Sequence, residues 1–363
     1  MRKIRVLVAE DSLTVRRRLV DTLAADPSFE VVGEAADGRT AVELCEKLRP
    51  DVITLDMMMP HMTGLAATEH IMAYCPTPIL IVSASVNRGE VMKTLDALAA
   101  GAVDVLEKPG PDISDEAWDK KLIATVKLAS RIRVITHVRG RLRLSPAVAP
   151  PHAPPPAVGP PTSVADEARE VPKLLAIGAS TGGPAAVVLA LKKLPKSFPL
   201  PVLLVLHIGK PFGLGFAEWL DNQIPLPVVL PEDGEPLPRR GRSRVFLAPP
   251  DKHLIVRDGR LHLTAEPERH SCRPSVDVLF ESVAREIGAG AIGCLLTGMG
   301  RDGAEGLLQM KLAGAVTLVQ DEATSVVFGM PREAIRIGAA TRVLPIHDFE
   351  QALSALAKAP GDR

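Results

Sequence analysis

A proline-rich segment divides the sequence and limits what the chain can fold into. The stretch Leu144–Pro172 contains Pro150-Pro151, Pro154-Pro155-Pro156 and Pro160-Pro161, with almost no aliphatic periodicity. Because proline lacks a backbone N–H and fixes φ, this segment cannot join a sheet and is expected to be a semi-extended linker. We therefore predict two domains, residues 1–138 and 173–363, joined by a linker over 139–172.

Both halves alternate short apolar runs with helical patterns, as parallel sheets covered by helices require. The first half is predicted to hold five βα units, with strands at Ile4–Ala9, Glu30–Gly33, Val52–Leu55, Ile79–Val82 and Val103–Leu106. In the second half the predicted strands are Leu174–Ile177, Pro201–Leu206, Val245–Leu247, Ala291–Leu296 and Ala315–Val319, with a hairpin at 254–264. Helices are expected at Pro184–Leu194, Ser275–Ile287 and Asp302–Leu312. The predicted class is α/β: a flavodoxin-like domain of five parallel strands, then a doubly wound α/β domain.

Charge and composition exclude several classes of protein. The 363 residues include 43 basic and 43 acidic side chains, so no net field attracts nucleic acid. The four cysteines lack CxxC spacing and are expected to be reduced thiols. The apolar run at the N-terminus ends at Glu10 and Asp11, too early for a signal peptide, and no stretch reaches the roughly 18 apolar residues that span a bilayer. We expect a cytosolic protein without direct membrane insertion.

Five polar residues follow predicted strands of the first half. Glu10 and Asp11 follow the first strand, Asp56 the third, Ser83 the fourth and Lys108 the fifth. The carboxyl ends of parallel strands face one crevice, so these side chains should converge. Three carboxylates can hold a hard cation such as Mg²⁺ and leave Asp56 free to attack phosphorus. The serine and lysine would then engage the new phosphoryl group.

This first half resembles a response-regulator receiver domain over nearly its whole length. The resemblance implies that Asp56 is the phosphoacceptor, that Glu10 and Asp11 hold Mg²⁺ with it, and that Ser83 and Lys108 are switch residues. Glu10 departs from the pattern, because many receivers have Asp there.

Ser180 lies at the centre of a Gly-x-Ser-x-Gly turn between a buried strand and a helix. Small neighbours let a hydroxyl project there, next to helix-start N–H groups that can face an oxyanion. A glycine-rich turn of this kind also suits a phosphate, although neither GxxxxGK[ST] nor GxGxxG is present. The turn alone leaves a nucleophile and a phosphate site both open.

His207 directly follows the apolar strand that ends at Leu206, whereas His253 and His270 lie in polar segments. It is therefore the favoured general base. Asp302 opens a predicted helix after a third strand; it is either a helix N-cap or the carboxylate that orients His207. The order Ser, His, Asp differs from that of α/β-hydrolases.

Residues from about 173 onward resemble the catalytic domain of the chemotaxis protein-glutamate methylesterases. The agreement is strongest at Gly178–Gly183, Arg273–Phe280, Leu296–Met299 and Val327–Pro331. The resemblance implies Ser180 as nucleophile, His207 as base, Asp302 as its orienting carboxylate and an oxyanion contribution from the Met299 backbone.

Two segments depart from the usual pattern of that family. The histidine segment usually reads Gln-His-Met-Pro-Pro-Gly-Phe, whereas here residues 206–212 read Leu-His-Ile-Gly-Lys-Pro-Phe. The residues before Arg273 also differ, which is expected to alter the substrate cleft. Neither change removes a residue of the proposed chemistry.

The resemblance implies hydrolysis of glutamate methyl esters on methyl-accepting chemotaxis receptors, and deamidation of receptor glutamines. A chemotaxis histidine kinase would be the phosphodonor. The expected cofactor is Mg²⁺ in the receiver, and none for ester hydrolysis. The alternative is a non-enzymatic response regulator whose second domain binds a ligand or a protein.

Overall fold

A computed structural model describes residues 2–84, 87–109, 115–132, 134 and 171–358. The predicted linker over 139–172 lies outside the described residues except for Val171 and Pro172. No helix in the described part of the chain is long and apolar enough to cross a membrane.

The N-terminal domain is a parallel sheet with helices on both faces. Its strands are β1 Ile4–Ala9, β2 Phe29–Ala35, β3 Val52–Leu55, β4 Ile79–Ser83 and β5 Asp104–Glu107. Its helices are α1 Leu13–Ala25, α2 Gly38–Leu48, α3 Gly64–Tyr74, α4 Arg88–Ala99 and α5 Asp115–Ala129. The strand order is β2-β1-β3-β4-β5, the flavodoxin-like order. The predicted five-stranded parallel domain is confirmed.

The sequence specifies where the first four helices begin. Ser12, Asp37, Thr63 and Asn87 each precede a helix and accept a hydrogen bond from a backbone N–H of its first turn. Such caps satisfy N–H groups that have no partner inside the helix. The strands are predominantly apolar because both faces of the sheet are covered.

The C-terminal domain is built on a larger parallel sheet. Its strands are β6 Leu174–Ala179, β7 Val202–Leu206, β8 Val228–Val229, β9 Glu235–Pro236, β10 Val245–Leu247, β11 His253–Arg257, β12 Arg260–Thr264, β13 Ala291–Leu295, β14 Val316–Gln320 and β15 Arg342–Leu344. Its helices are α6 Gly183–Leu191, α7 Lys210–Asp221, α8 Val276–Glu286, α9 Ala304–Leu312, α10 Met330–Arg336 and α11 Phe349–Leu356. Seven strands form the sheet β15-β14-β13-β6-β7-β10-β8, and β11-β12-β9 form a small antiparallel sheet. The doubly wound domain and its hairpin are as predicted.

The structure corrects the prediction that Asp302 opens a helix. Helix α9 begins at Ala304, and its N-cap is Gly303 with a φ of 88°. The Asp302 side chain instead accepts hydrogen bonds at the start of α8. Asp302 therefore caps a different helix from the one it precedes.

The two domains pack through α4 of the first and α6 and α7 of the second. Trp219 Nε1 donates to Asp96 Oδ1 at 2.8 Å, and Arg88 pairs with Glu218. Gly215 lies so close to Val91 that a Cβ on it would come within 2.6 Å of Val91 Cγ1. This close contact between α4 and α7 therefore requires a glycine at position 215.

Candidate active site and phosphorylation site

Ser180, His207 and Asp302 all follow strands at the centre of the larger sheet. Ser180 follows β6, which lies between β7 and β13. His207 follows β7, and Asp302 lies in the loop after β13. The strands that follow β6 in the sequence are placed first on one side of it, at β7, and later on the other side, at β13. Such a switch point in the strand order forms a crevice at the carboxyl ends of the strands.

The turn after β6 brings Ser180 against the 297–299 loop. Ser180 N donates to Thr297 O at 3.0 Å, and a Cβ on Gly298 would lie 2.8 Å from Ser180 Cβ. Gly182 has a φ of 76°, a left-handed conformation that favours glycine. The small residues of the motif therefore let the serine approach the neighbouring loop.

Next to this contact, Met299 offers a free backbone donor. Gly298 N is used, since it donates to Val327 O at 3.0 Å. Met299 N donates to no acceptor among the described residues, and the residue is 54% exposed. A backbone N–H group without an acceptor, beside a serine, is suited to hold an oxyanion.

Asp302 fixes the His207 ring. His207 Nε2 lies 2.9 Å from Asp302 Oδ2. The carboxylate also accepts from Ser275 Oγ at 2.7 Å, Val276 N at 2.7 Å and Asp277 N at 3.1 Å. Burial raises the pKa of Asp302, but the hydrogen bonds from His207 and Ser275 outweigh it and hold that pKa below its usual value. The group is an anion at neutral pH.

Cys272 contacts the other nitrogen of the His207 ring. Its Sγ lies 3.7 Å from His207 Nδ1, at the end of a tight turn in which His270 and Ser271 have positive φ. Sequence analysis missed this contact; the unusual residues before Arg273 were the only signal.

The charge of His207 is set by these neighbours. Burial lowers the pKa of His207, but the hydrogen bonds to Asp302 and Cys272 raise it to about 9. The ring is thus protonated at neutral pH in this arrangement, and Ser180 Oγ makes no hydrogen bond with the described residues. The three residues lie in one crevice, but a protonated His207 cannot accept a proton from Ser180.

The two competing histidines have structural partners. His253 is fully buried; its Nδ1 accepts from Ser275 N at 3.1 Å and its Nε2 lies 3.2 Å from Pro267 O. His270 Nε2 lies 3.1 Å from Asp277 Oδ2. Of the three histidines, His207 is the one bonded to Asp302.

In the N-terminal domain the predicted acidic residues converge. Oxygens of Glu10, Asp11 and Asp56 lie within 4.8 Å of one another. Lys108 Nζ lies 2.9 Å from Glu10 Oε2 and 3.0 Å from Asp56 Oδ1. The structure thus brings together Glu10, Asp11, Asp56 and Lys108, and Lys108 N donates to Ser83 O at 2.9 Å.

This acidic cluster fits a divalent cation. Burial raises the pKa of Glu10 and of Asp56, against the opposing effect of Lys108. Buried carboxylates so close together repel one another, and a hard cation with oxygen ligands relieves that repulsion. Glu10, Asp11 and Asp56 are the residues that would hold it.

The Ser83 hydroxyl has a partner that the sequence did not suggest. It donates to Glu90 Oε1 at 2.5 Å, and Ala84 N donates to the same oxygen at 3.0 Å. Glu90 lies in the first turn of α4 and was missed by sequence analysis, since an acid in a first helical turn is common. Ser83 is therefore connected to α4, the helix that packs on the C-terminal domain.

Comparisons with known proteins agree with both halves. A family described as CheB methylesterase matches residues 175–353, and the response regulator receiver domain matches residues 6–114. The protein-glutamate methylesterase/protein-glutamine glutaminase 4 of Myxococcus xanthus is 43% identical over 361 residues, covering 99% of this chain and 98% of the relative. The corresponding protein of Nitrosospira multiformis is 42% identical over 365 residues, covering 99% and 98%. The chain belongs to the protein-glutamate methylesterase/protein-glutamine glutaminase family.

A solved structure of the CheB methylesterase catalytic domain of Thermotoga maritima is 35% identical, covers 51% of this chain and 98% of that chain, and has a TM-score of 0.48. The family resemblance found in the sequence is confirmed by the two family matches and by the full-length relatives.

A cleft lies between the receiver and the candidate active site of this methylesterase. Its volume is about 320 Å³, and its walls include Asp104, Glu107 and Lys121 of the receiver and His207, Cys272 and Arg273 of the catalytic domain. Residues of the receiver therefore face His207 across this cleft.

Proposed function

We propose that Ser180, His207 and Asp302 hydrolyse glutamate methyl esters on chemotaxis receptors and deamidate receptor glutamines. The observation that supports this most directly is the 2.9 Å contact between His207 Nε2 and Asp302 Oδ2, beside the turn that carries Ser180. A serine, an imidazole and an ionised carboxylate in one crevice form a triad for acyl transfer.

The reaction follows from these groups. Ser180 Oγ attacks the ester carbonyl carbon while His207 takes its proton, and the Met299 N–H stabilises the oxyanion. His207 returns the proton to the departing methanol, or to ammonia when the substrate is glutamine. Water, deprotonated by the same ring, then releases the glutamate carboxylate and restores Ser180.

The ring atom that serves Ser180 is Nδ1. Nε2 is held by Asp302, so only Nδ1 can accept a proton from the serine. That atom faces Cys272 in this structure. Activation must therefore redirect Nδ1 from the Cys272 thiol to Ser180 and lower the pKa of His207 below about 9.

We further propose that a chemotaxis histidine kinase phosphorylates Asp56, with Mg²⁺ held by Glu10, Asp11 and Asp56. The cation supplies charge neutralisation at the phosphoryl group. Lys108 contacts Asp56 directly and would remain with the phosphoryl oxygens.

The path from Asp56 to the catalytic domain runs through Ser83. A phosphoryl group that attracts the Ser83 hydroxyl removes it from Glu90, at the start of α4. Asp96 of the same helix accepts from Trp219 of α7. Loss of the first contact would loosen the second, uncover the cleft over His207 and raise activity.

The activity is tested by methanol release from methylated receptors. Ser180→Ala is expected to abolish release while the protein stays folded, and Ser271→Ala, an exposed serine at the cleft, to retain it. Unchanged release in Ser180→Ala would mean that Ser180 is not the nucleophile, whereas no release by the wild type would favour a non-enzymatic output domain.

Regulation is tested with a fragment that begins near Val171. It should exceed the rate of the unphosphorylated full-length protein, and a phosphodonor should activate the wild type but not Asp56→Ala. Equal rates, with no effect of the phosphodonor, would indicate a receiver used only for recruitment.

A further inference from the structure

A basic surface lies beside the Ser180 turn, and its arginine side chains play no part in the chemistry above. It is formed by the loop Met299–Arg301 and the first turns of α10. Gly329 N and Met330 N donate to Gly298 O at 3.1 and 2.9 Å, which fixes the start of α10 against the loop. Arg301 and Arg332 therefore project from two elements that meet next to Ser180. We call this surface the arginine rim.

The acids around the rim already have partners. Glu333 pairs with Arg336 at 2.7 Å, and Glu305 pairs with Arg269 at 3.3 Å. Arg301 and Arg332 have no carboxylate within ion-pair distance in the described part of the chain. The one polar contact found for Arg301 is from its Nε to His270 Nδ1, at 3.3 Å.

The two guanidinium groups act on the same region of space. The hydrogen bond from Arg336 lowers the pKa of Glu333, and the charges of Arg301 and Arg332 lower it further. One carboxylate is thus close enough to respond to both arginines, yet its hydrogen bonds go to Arg336. The rim carries a local excess of positive charge in a chain whose net charge is zero.

The rim also presents apolar surface and is not covered by the receiver. Met299 is 54% exposed and Ile335 is 36% exposed, and both adjoin the arginines. The receiver packs on α6 and α7 and reaches residues 324–326 before α10, yet Arg301 and Arg332 are exposed in the full-length chain. The arginine rim is thus open to a partner in the resting protein.

The chemistry of the reaction suggests what that partner carries. The reacting ester or amide is neutral, but every turnover leaves a carboxylate on the receptor, and a segment with several modifiable sites accumulates negative charge. We propose that Arg301 and Arg332 bind glutamate carboxylates that flank the reacting side chain on the receptor, with Met299 and Ile335 packing against its apolar positions. This inference rests on the proposed function.

The test compares two double variants that lose the same charge. Arg301→Ala/Arg332→Ala removes the rim. Arg285→Ala/Arg342→Ala is the matched control, because Arg285 is exposed in the last turn of α8 and Arg342 begins the edge strand β15, both away from the carboxyl ends of the strands. Methanol release is measured with the phosphorylated full-length protein on receptor-containing membranes.

Loss of the rim should raise KM roughly threefold to thirtyfold, as two exposed charge pairs allow, with kcat within about twofold. The control should match the wild type. Arg332→Lys, which keeps the charge on α10, should recover most of the affinity that Arg332→Ala loses. The difference in KM between the wild type and the rim variant should shrink in high salt.

Three outcomes would overturn the proposal: an unchanged KM, a loss confined to kcat, or an equal loss in the control variant. A further one is that the rim variant loses binding to receptor-free vesicles of anionic lipid while its KM for a detergent-solubilised receptor fragment is unchanged, since the rim would then be a membrane contact. Absence of methanol release by the wild type would be a failure of the proposed function instead.

Discussion

Thr181, the residue after the candidate nucleophile, donates a hydrogen bond from its Oγ1 to Asp104 Oδ2 of the receiver at 3.3 Å. Burial raises the pKa of Asp104, which lies at the boundary between the domains. The turn that carries Ser180 is therefore in direct contact with the regulatory domain as well as with its own sheet.

Weakening the interface away from the active site should raise basal activity. Asp96→Ala removes the acceptor of the Trp219 hydrogen bond, and one such bond contributes about 0.5–1.5 kcal/mol. We expect the unphosphorylated protein to demethylate receptors roughly twofold to tenfold faster. Asp21→Ala, on the exposed face of α1, is the control. An unchanged or lower rate in Asp96→Ala would contradict an inhibitory interface.

The triad should behave as one unit. Ser180→Ala and His207→Ala are each expected to lower kcat by about 10⁴-fold or more, and the double variant should be hardly worse than either single change. Single-turnover rates of all three proteins measure this. Losses that multiply would mean that the two residues act independently.

The basal rate should depend on pH through His207. Because catalysis needs the neutral ring and its pKa is about 9, kcat/KM of the unphosphorylated protein should rise with pH up to about 9. Asp302→Asn, which removes the carboxylate, should move the midpoint to lower pH while lowering the maximum. A midpoint near 6.5 in the wild type would disprove the resting arrangement.

The same pKa affects stability. The folded-state pKa of His207 lies above its ordinary value of 6.5, so protonation favours the folded form. That contribution is fully present below pH 6.5 and is lost as the pH rises through about 9. Equilibrium unfolding of wild type and His207→Gln across this range measures it.

Phosphorylation should depend on Glu10. Glu10→Gln removes one of three clustered carboxylates, and the weaker attraction should raise the Mg²⁺ concentration for half-maximal phosphorylation roughly tenfold. Asp51→Asn is a suitable control, because Asp51 precedes β3 at the opposite end of the sheet and pairs with Arg2. The same Mg²⁺ dependence in both variants would place the cation elsewhere.

Limited proteolysis should separate the two domains. We expect the first cuts between about Arg143 and Lys173, where prolines and the lack of apolar periodicity predict an exposed backbone. Two folded fragments should remain. Early cleavage inside β1–β5 or β6–β15 would contradict the domain boundaries.

Apolar strands inside the sheets were predictable from the sequence, including the three-residue β10, and the shortest edge strands were not. Ile4–Ala9 and Val52–Leu55 have the predicted bounds, because continuous apolar runs are typical of strands buried on both faces. Strands β8 and β9 are two residues long, and β15 has three. Segments this short are edge pairings set by tertiary contacts rather than by local pattern.

The ends of the predicted strands indicated where the candidate site lies, whereas the contacts between distant loops could be found only in the structure. The positions of Ser180 and His207 followed from apolar runs that end at polar residues. The roles of Cys272 and Glu90 depend on the direction of single side chains, which no spacing encodes. Asp302 was selected as the carboxylate for His207 and lies in contact with that ring, whereas the alternative, an N-cap of α9, is wrong.

The four hydrogen bonds to the Asp302 carboxylate give this residue two duties. Its loss would free the ring of His207 and would also leave Ser275, Val276 and Asp277 without an acceptor at the buried start of α8, at about 1–3 kcal/mol for each unsatisfied group. Natural selection therefore acts on position 302 through turnover and through folding together. By contrast, Ser180 Oγ has no bonded partner among the described residues. A lineage can therefore lose the nucleophile and still keep a folded catalytic domain that packs against the receiver.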